Sequence, residues 1–302
     1  MAQEDPTALP TDATDARIMI ALVQMTACKS VEDNLAFLVS HIEEAAERGA
    51  RYVLTPENSL LMDLDAERVH KIAASETYAQ AFDALYSLAR RLNIWLHIGA
   101  TPVVVDDALK KASNAADEGP LLVNRSFVIG PDGQMRDFYD KIHMFDVQLP
   151  DGEHYCESAN FRPGDRAVVV GTDFARLGLS VCYDLRFPGL FRQLAQAGAD
   201  ILTVPAAFTA YTGRAHWEVL LRARAIETGC FVIAAAQTGD HETGRSTYGH
   251  SLVAAPWGDV LLDAGDQPGV FMAELDLQLL YEARSKVPSL RHDRPFHMVA
   301  PL

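Results

Sequence analysis

The sequence predicts a single α/β domain, and three observations carry that prediction. Apolar runs of strand length recur along the chain, from Arg17 to Met25 onward to Ser251 to Ala255. Segments of helical period separate several of them. No Ser/Gly-rich linker, internal repeat or low-complexity block divides the 302 residues, of which 49% are hydrophobic, enough for one substantial core.

Arg17 to Met25 is apolar nearly throughout, as expected of a strand buried on both faces. Ser30 with Asp33 signals a helix start, and Leu35, Leu38, Val39 and Ile42 keep helical spacing until about Arg48, with Gly49 as the stop. Tyr52 to Thr55 reads as a second strand ending at Pro56-Glu57, one or two helices cover about 65 to 92, and Ile94 to Ala100 is a third buried strand. Gly130-Pro131-Asp132-Gly133 is a turn joining strands at Leu121 to Ile129 and Met135 to Tyr139. Arg176 to Val181 is a short buried strand that delivers Cys182 to a sharp turn. Ile201 to Val204, Phe231 to Ala236 and Ser251 to Ala255 are further strands, and Arg214 to Thr228 is a helix with Trp217, Leu220, Leu221 and Ile226 inward. Met1 to Ala16, polar and without an apolar segment, reads as a disordered tail rather than a secretory signal, leaving 17–302 as the domain.

Lys and Arg number 26 against 41 Asp and Glu, a formal net charge of −15, which argues against nucleic acid or an anionic membrane as partner. No apolar stretch approaches the roughly 20 residues of a membrane span. The four cysteines lie far apart without CxxC spacing, so reduced thiols and a cytoplasmic location are expected. No two histidines stand at i,i+4 and no phosphate-binding glycine loop occurs, so neither a metal nor a nucleotide cofactor is implied.

Chemistry gathers at three predicted strand ends: Glu57, Lys141 and Cys182. Strand ends line the ligand crevice of α/β sheets. A carboxylate takes a thiol proton, an ammonium lowers the thiol pKa and steadies an oxyanion, and the thiolate attacks a carbonyl or nitrile carbon. Singly, each residue has a plainer reading: Glu57 as a helix cap, Lys141 as a surface partner of Asp140, Cys182 as core.

The words around them decide between these readings. Thr55-Pro56-Glu57-Asn58, Tyr139-Asp140-Lys141-Ile142-His143-Met144-Phe145-Asp146 and Val181-Cys182-Tyr183-Asp184-Leu185-Arg186-Phe187-Pro188 occur in that order. Together they resemble the nitrilase (carbon–nitrogen hydrolase) superfamily. The resemblance runs from Arg17 to the C-terminus and implies a four-layer α-β-β-α sandwich, pairing with a second copy into an extended α-β-β-α:α-β-β-α homodimer. It implies a Glu57-Lys141-Cys182 triad and a second carboxylate, for which Glu157 is chosen over Glu153. It also places the C-terminal segment Val287 to Phe296 against the partner rather than its own subunit.

His216 to Glu227, Ala234-Ala235-Ala236-Gln237 and Tyr248-Gly249-His250-Ser251 are similar to the Nit branch, whose members remove an amide group from α-keto acid amides. The Glu242-Thr243-Gly244-Arg245-Ser246 loop sits nearer the members acting on deaminated glutathione. The implied activity is hydrolysis of a small carboxylate-bearing amide through a Cys thioester, without a cofactor. N-carbamoyl amino acid or nitrile hydrolysis would use the same triad, and a non-catalytic binding subunit is the reading of a different class. Phe145, Tyr183, Phe208 and Thr209 are expected around the substrate, with the Tyr183 N–H at the oxyanion. Arg214 stands where the branch has proline, either to bind a carboxylate or in solvent. Asp63 to Thr77 is long and is expected to reshape the rim.

Overall fold

The first apolar run forms β1 (Arg17–Gln24), capped off from α1 (Val31–Glu47) by Ser30, whose side chain accepts the Asp33 N–H at 3.1 Å. This computed structural model describes residues 17–105, 122–149, 152 and 154–299; the tail Met1 to Ala16 and the alternative carboxylate Glu153 lie outside the described residues. β2 (Tyr52–Leu54), α2 (Ala66–Ala73), α3 (Glu76–Leu92), β3 (Trp95–Val104), β4 (Leu122–Ile129) and β5 (Met135–Asp140) follow. Next come the hairpin β6 (Asp146–Gln148) and β7 (His154–Cys156), then β8 (Phe161–Arg162), β9 (Val169–Gly171), β10 (Arg176–Leu179) and α4 (Pro188–Gln196). β11 (Ile201–Thr203), α5 (Ala210–Thr228) and β12 (Phe231–Ala234) precede a second small hairpin, β13 (Thr238–Asp240) and β14 (Ser246–Tyr248). The described chain closes with β15 (Leu252–Ala254), β16 (Val260–Asp263), β17 (Gly269–Asp276) and α6 (Gln278–Lys286).

Two mixed sheets result. One runs β17-β1-β2-β3-β4-β5 with β8 beside β4, and the other runs β16-β15-β12-β11-β10-β9. Parallel pairs form the middle of each sheet, as the long apolar runs require, and antiparallel strands close the edges. Alternation along β1 shows the layering. Ile18, Ile20 and Leu22 share one cluster with Leu177, Leu179 and Ile201 of the other sheet, while Ala21 and Val23 pack with Leu38 and Ile42 of α1 and Leu85 of α3. Phe191 of α4 and Trp217 of α5 cover the second sheet. The order is helix, sheet, sheet, helix, and each fully buried Leu or Ile contributes about 1.5–3 kcal/mol.

Two expectations need correcting, and one strand was not anticipated. α5 begins at Ala210, ahead of Arg214, and its inner stripe is Trp217, Leu221, Arg224, Ala225 and Thr228; Ile226 is 55% exposed. Counting from Trp217, steps of 4, 7, 8 and 11 stay on one face, whereas Ile226 falls on the opposite one. Arg224 takes the inner place because its guanidinium donates twice to the Leu185 carbonyl, at 3.0 and 2.8 Å. The unanticipated strand is β17, whose apolar run Val270-Phe271-Met272-Ala273 had not been read as a strand; it pairs with all eight residues of β1. Second, part of the C-terminal segment folds back on its own subunit: Arg192 of α4 donates to Ser289 O at 3.0 Å, and Gln196 to Asp293 at 2.6 Å. Beyond it Phe296 and Met298 stand exposed.

Gly99 in β3 locks the two sheets near the end of β2. A Cβ there would overlap the Thr55 carbonyl and the Pro205 ring, so the closeness of these segments depends on its absence. Gly99→Ala should cost at least the upper end of the roughly 1–3 kcal/mol of overpacking, read as a lower midpoint in urea unfolding. An unchanged midpoint would show that β2 and β3 can part freely.

Candidate active site

Glu57 sits just past β2, bridged to Ala100 of β3, and the next residue, Asn58, takes a left-handed backbone at φ 61°. The Glu57 side chain is buried and fully engaged. Oε1 accepts from Lys141 Nζ at 3.0 Å and Asn124 Nδ2 at 2.9 Å, and Oε2 accepts from the Ala207 N–H at 2.8 Å.

Lys141 directly follows β5, its backbone held between Asn124 O at 3.0 Å and the Gly164 N–H at 2.8 Å. Its ammonium also donates to Glu157 at 2.9 and 2.8 Å. Glu157 opens a 3-10 turn, Glu157–Ala159, and accepts the Phe145 N–H at 2.7 Å, which ties that turn to the Lys141 loop. Lys141 is 2% exposed. Burial alone would lower its pKa, but Glu157 and Glu57 raise it, so it stays an ammonium.

Cys182 ends the extended run after β10 and adopts φ 50°, a strained conformation for a residue with a Cβ. Its N–H donates to Pro205 O at 2.9 Å. Two residues on, the buried Asp184 carboxylate accepts from the Val181 N–H at 2.8 Å, Tyr139 OH at 2.7 Å and the His143 N–H at 3.1 Å, and contacts His143 Nδ1 at 2.6 Å. Tyr139 and His143 flank Lys141 in sequence, so one carboxylate couples the cysteine turn to the lysine loop.

Glu57, Lys141, Glu157 and Cys182 line one cavity of about 270 Å³ where the ends of the two sheets meet. Tyr183, Phe145, Phe208 and Thr209 line it too. Phe145 lies 5.1 Å from both Tyr155 and Tyr183, ring centre to ring centre, forming an aromatic wall. Asp63, Leu64, Ala66 and Val69 reach the rim, as the long segment after Met62 suggested. Arg214 does not join them: it is exposed on α5 and is not among the lining residues. His143, His216 and His250 are hydrogen-bonded to Asp184, Arg186 and Asp263, outside the lining.

Two polar lining residues, Asn124 and Arg245, were given no role in the site from the sequence. Asn124 donates from Nδ2 to Glu57 and, at 3.5 Å, to Glu157, which leaves its Oδ1 buried without a partner. Carboxylates only accept, so this network fixes the amide orientation. Arg245, from the hairpin connecting β13 and β14, donates to Ala207 O and lies 5.2 Å over the Tyr155 ring. Nothing in a one-dimensional pattern sets Asn124 apart, whereas the 242–246 loop was visible and only its direction was not.

The expected low thiol pKa is overturned. Burial, then the Glu57 charge, push the Cys182 thiol well above its ordinary value, against Lys141 and Arg245, which lower it. Burial would raise Glu57, but Lys141, Arg245 and its hydrogen bonds hold it below the usual carboxylate range. The resting pair is therefore carboxylate and thiol.

The sequence matches the carbon–nitrogen hydrolase family over residues 19–285. It is 42% identical over 276 residues to the deaminated glutathione amidase of Synechocystis sp., covering 91% of this chain and 97% of that protein. The C. elegans NitFhit structure superposes with a TM-score of 0.82 at 37% identity, covering 92% of this chain; this chain spans 65% of NitFhit. Saccharomyces cerevisiae Nit3, a member of branch 10 of the nitrilase superfamily, gives a TM-score of 0.78 at 26% identity, with 91% of this chain and 96% of Nit3 covered.

A raised thiol pKa has a sign that can be measured. Iodoacetamide at pH 7 should alkylate exposed Cys156 before buried Cys182, and Cys182 should gain reactivity only above the ordinary thiol range near about 8.5. Peptide mass mapping across pH reads this, and modification of Cys182 first at pH 7 would mean the two cations outweigh burial.

Proposed function

The chain belongs to the carbon–nitrogen hydrolase family and is an amidase of non-peptide C–N bonds, and from that premise we propose that Cys182 is its nucleophile, with Glu57, Lys141 and Glu157 in its service. The observation that carries this is the Glu57 carboxylate, shared by Lys141, Asn124 and the Ala207 N–H beside the Cys182 thiol in one cavity. The presence of all three of Glu57, Lys141 and Cys182 speaks against a non-catalytic subunit.

Glu57 takes the thiol proton as Sγ bonds to the amide carbon. The oxyanion is met by the Tyr183 N–H at the start of the 3-10 turn Cys182–Arg186 and by Lys141. All three ammonium protons are committed at rest, one to Glu57 and two to Glu157. The oxyanion therefore replaces one Glu157 bond, and the other keeps Lys141 aimed. Glu57 returns the proton to the departing nitrogen, ammonia leaves, and a thioester remains. Glu57 then takes a proton from water, the hydroxyl attacks the thioester, and the thiol and a carboxylic acid are released. One amide and one water give one acid and one ammonia.

The substrate we assign is a small carboxylate-bearing amide of the deaminated-glutathione or α-keto acid ω-amide type. The name of the Synechocystis relative and the modest cavity, about 270 Å³ with an aromatic wall, support that class. We assign Phe145, Tyr183, Phe208 and Thr209 to its walls and place Arg214 in solvent. A cytoplasmic homodimer completes the reading. Four free thiols and the acidic charge support the compartment, and among the described residues no helix is long and apolar enough to cross a membrane. Val219 and Ile226, 66% and 55% exposed on the outer face of α5, supply the apolar surface for a second copy.

Cys182→Ala should abolish ammonia release from an α-keto acid ω-amide while circular dichroism stays unchanged; measurable turnover would remove the cysteine from the mechanism. Lys141→Ala should lose at least the roughly 10²–10³-fold typical of a missing oxyanion donor. Glu157→Gln should also be severely slowed, and a near-normal rate would reduce Glu157 to a loop residue. Val219→Asp with Ile226→Asp should move the protein from dimer to monomer in size-exclusion chromatography with light scattering, and an intact dimer would place the interface elsewhere.

A further inference from the structure

We propose that Arg245 selects the substrate by clamping a carboxylate held a short chain away from the scissile carbonyl. The proposal rests on the amidase reading above and adds to it the residue that reads the acid group. Among the described residues, two buried side-chain polar atoms have no hydrogen-bond partner, Asn124 Oδ1 and Arg245 Nε, and both residues line the same cavity.

The two cations of the site are treated differently. Lys141 is neutralised twice over, by Glu57 and Glu157. Arg245 has no ion-pair partner among the described residues; the one hydrogen bond of its guanidinium there runs from Nη2 to the neutral Ala207 carbonyl. A guanidinium offers five donors in a planar fork, and leaving the buried Nε donor without an acceptor is costly. A carboxylate entering from solvent matches that fork and gives the guanidinium an ion-pair partner in direct contact.

The guanidinium is also held in place. The Ala207 carbonyl that accepts from it belongs to the residue whose N–H holds Glu57, and the Tyr155 ring lies 5.2 Å beneath it. Its position is thus tied to that of the general base, and it can measure the distance between a carboxylate and the reacting carbon. Exposed Arg214, outside the cavity lining, cannot do this.

The test compares two amides of equal chain length, glutaramate and valeramide, which differ only by a terminal carboxylate in place of a methyl. Ammonia release is measured for the wild type, Arg245→Gln and Arg245→Lys. The wild type should favour glutaramate by about tenfold or more in kcat/KM, and Arg245→Gln should lose that preference mainly through KM. Arg245→Lys, which keeps the charge without the fork, should recover part of it. A glutaramate preference that survives in Arg245→Gln, or an equal loss on both amides, would overturn the proposal. If the wild type hydrolyses neither amide, the amidase reading for small amides fails, and the anchor is judged separately. Cys182 is then labelled with 4-maleimidobutyrate and with N-propylmaleimide, followed by mass spectrometry. A fall in the ratio of the two rates in Arg245→Gln supports the anchor, and an unchanged ratio overturns it.

Discussion

The buried ammonium of Lys141 is the constraint on which the rest of this structure depends. Moving such an ion out of water costs several kcal/mol, roughly, even after relaxation, and is offset only when its donors are all met in good geometry. Here one donor goes to Glu57 and two to Glu157. Those groups come from the end of one strand, the end of another and a separate 3-10 turn, so three distant stretches of chain must converge within a few ångströms. The two mixed sheets act as the frame that brings them there, and Gly99 removes the bulk that would keep the ends of β2 and β11 apart.

The same electrostatics sets the resting state of the thiol. A cysteine beside a lysine invites the expectation of a thiolate, but Lys141 has already spent its charge on two carboxylates, one of which faces the sulfur. Burial and Glu57 then prevail, and the thiol stays protonated. In the mechanism proposed above, Cys182 is thus activated by proton transfer within a closed charge cluster rather than by a permanent low pKa. Asp184 keeps the geometry of that transfer, since the one carboxylate holds both the turn carrying Cys182 and the residues on either side of Lys141.

Much of this was legible in the sequence where local pattern and final structure agree. The continuous apolar runs at β1, β3 and β12 announced buried strands, and Ser30 and Gly49 marked the ends of α1. The words around Glu57, Lys141 and Cys182 singled out three residues that the fold brings into one cavity with Glu157. What stayed hidden depends on packing. Ile226 is apolar yet faces outward, because Arg224 finds the Leu185 carbonyl beneath the helix. β17 was legible in Val270-Phe271-Met272-Ala273 but its place at the edge, beside β1 from the other end of the chain, was not. Asn124 and Arg245 matter only through neighbours far away in the chain.

The left-handed backbone at Cys182 has a consequence for which nucleophiles this framework admits. A φ of 50° crowds the Cβ against its own peptide, and branching at that carbon makes the crowding worse. A threonine, whose hydroxyl serves other hydrolases, is therefore excluded by the main chain before its chemistry is consulted. Serine would fit, but it would bring a far less acidic hydroxyl to a base already held below the ordinary carboxylate range. Sulfur satisfies both the shape of the chain and the weak basicity of its carboxylate neighbour, so an exchange to threonine would have to begin by rebuilding the turn and one to serine by changing the surroundings of Glu57.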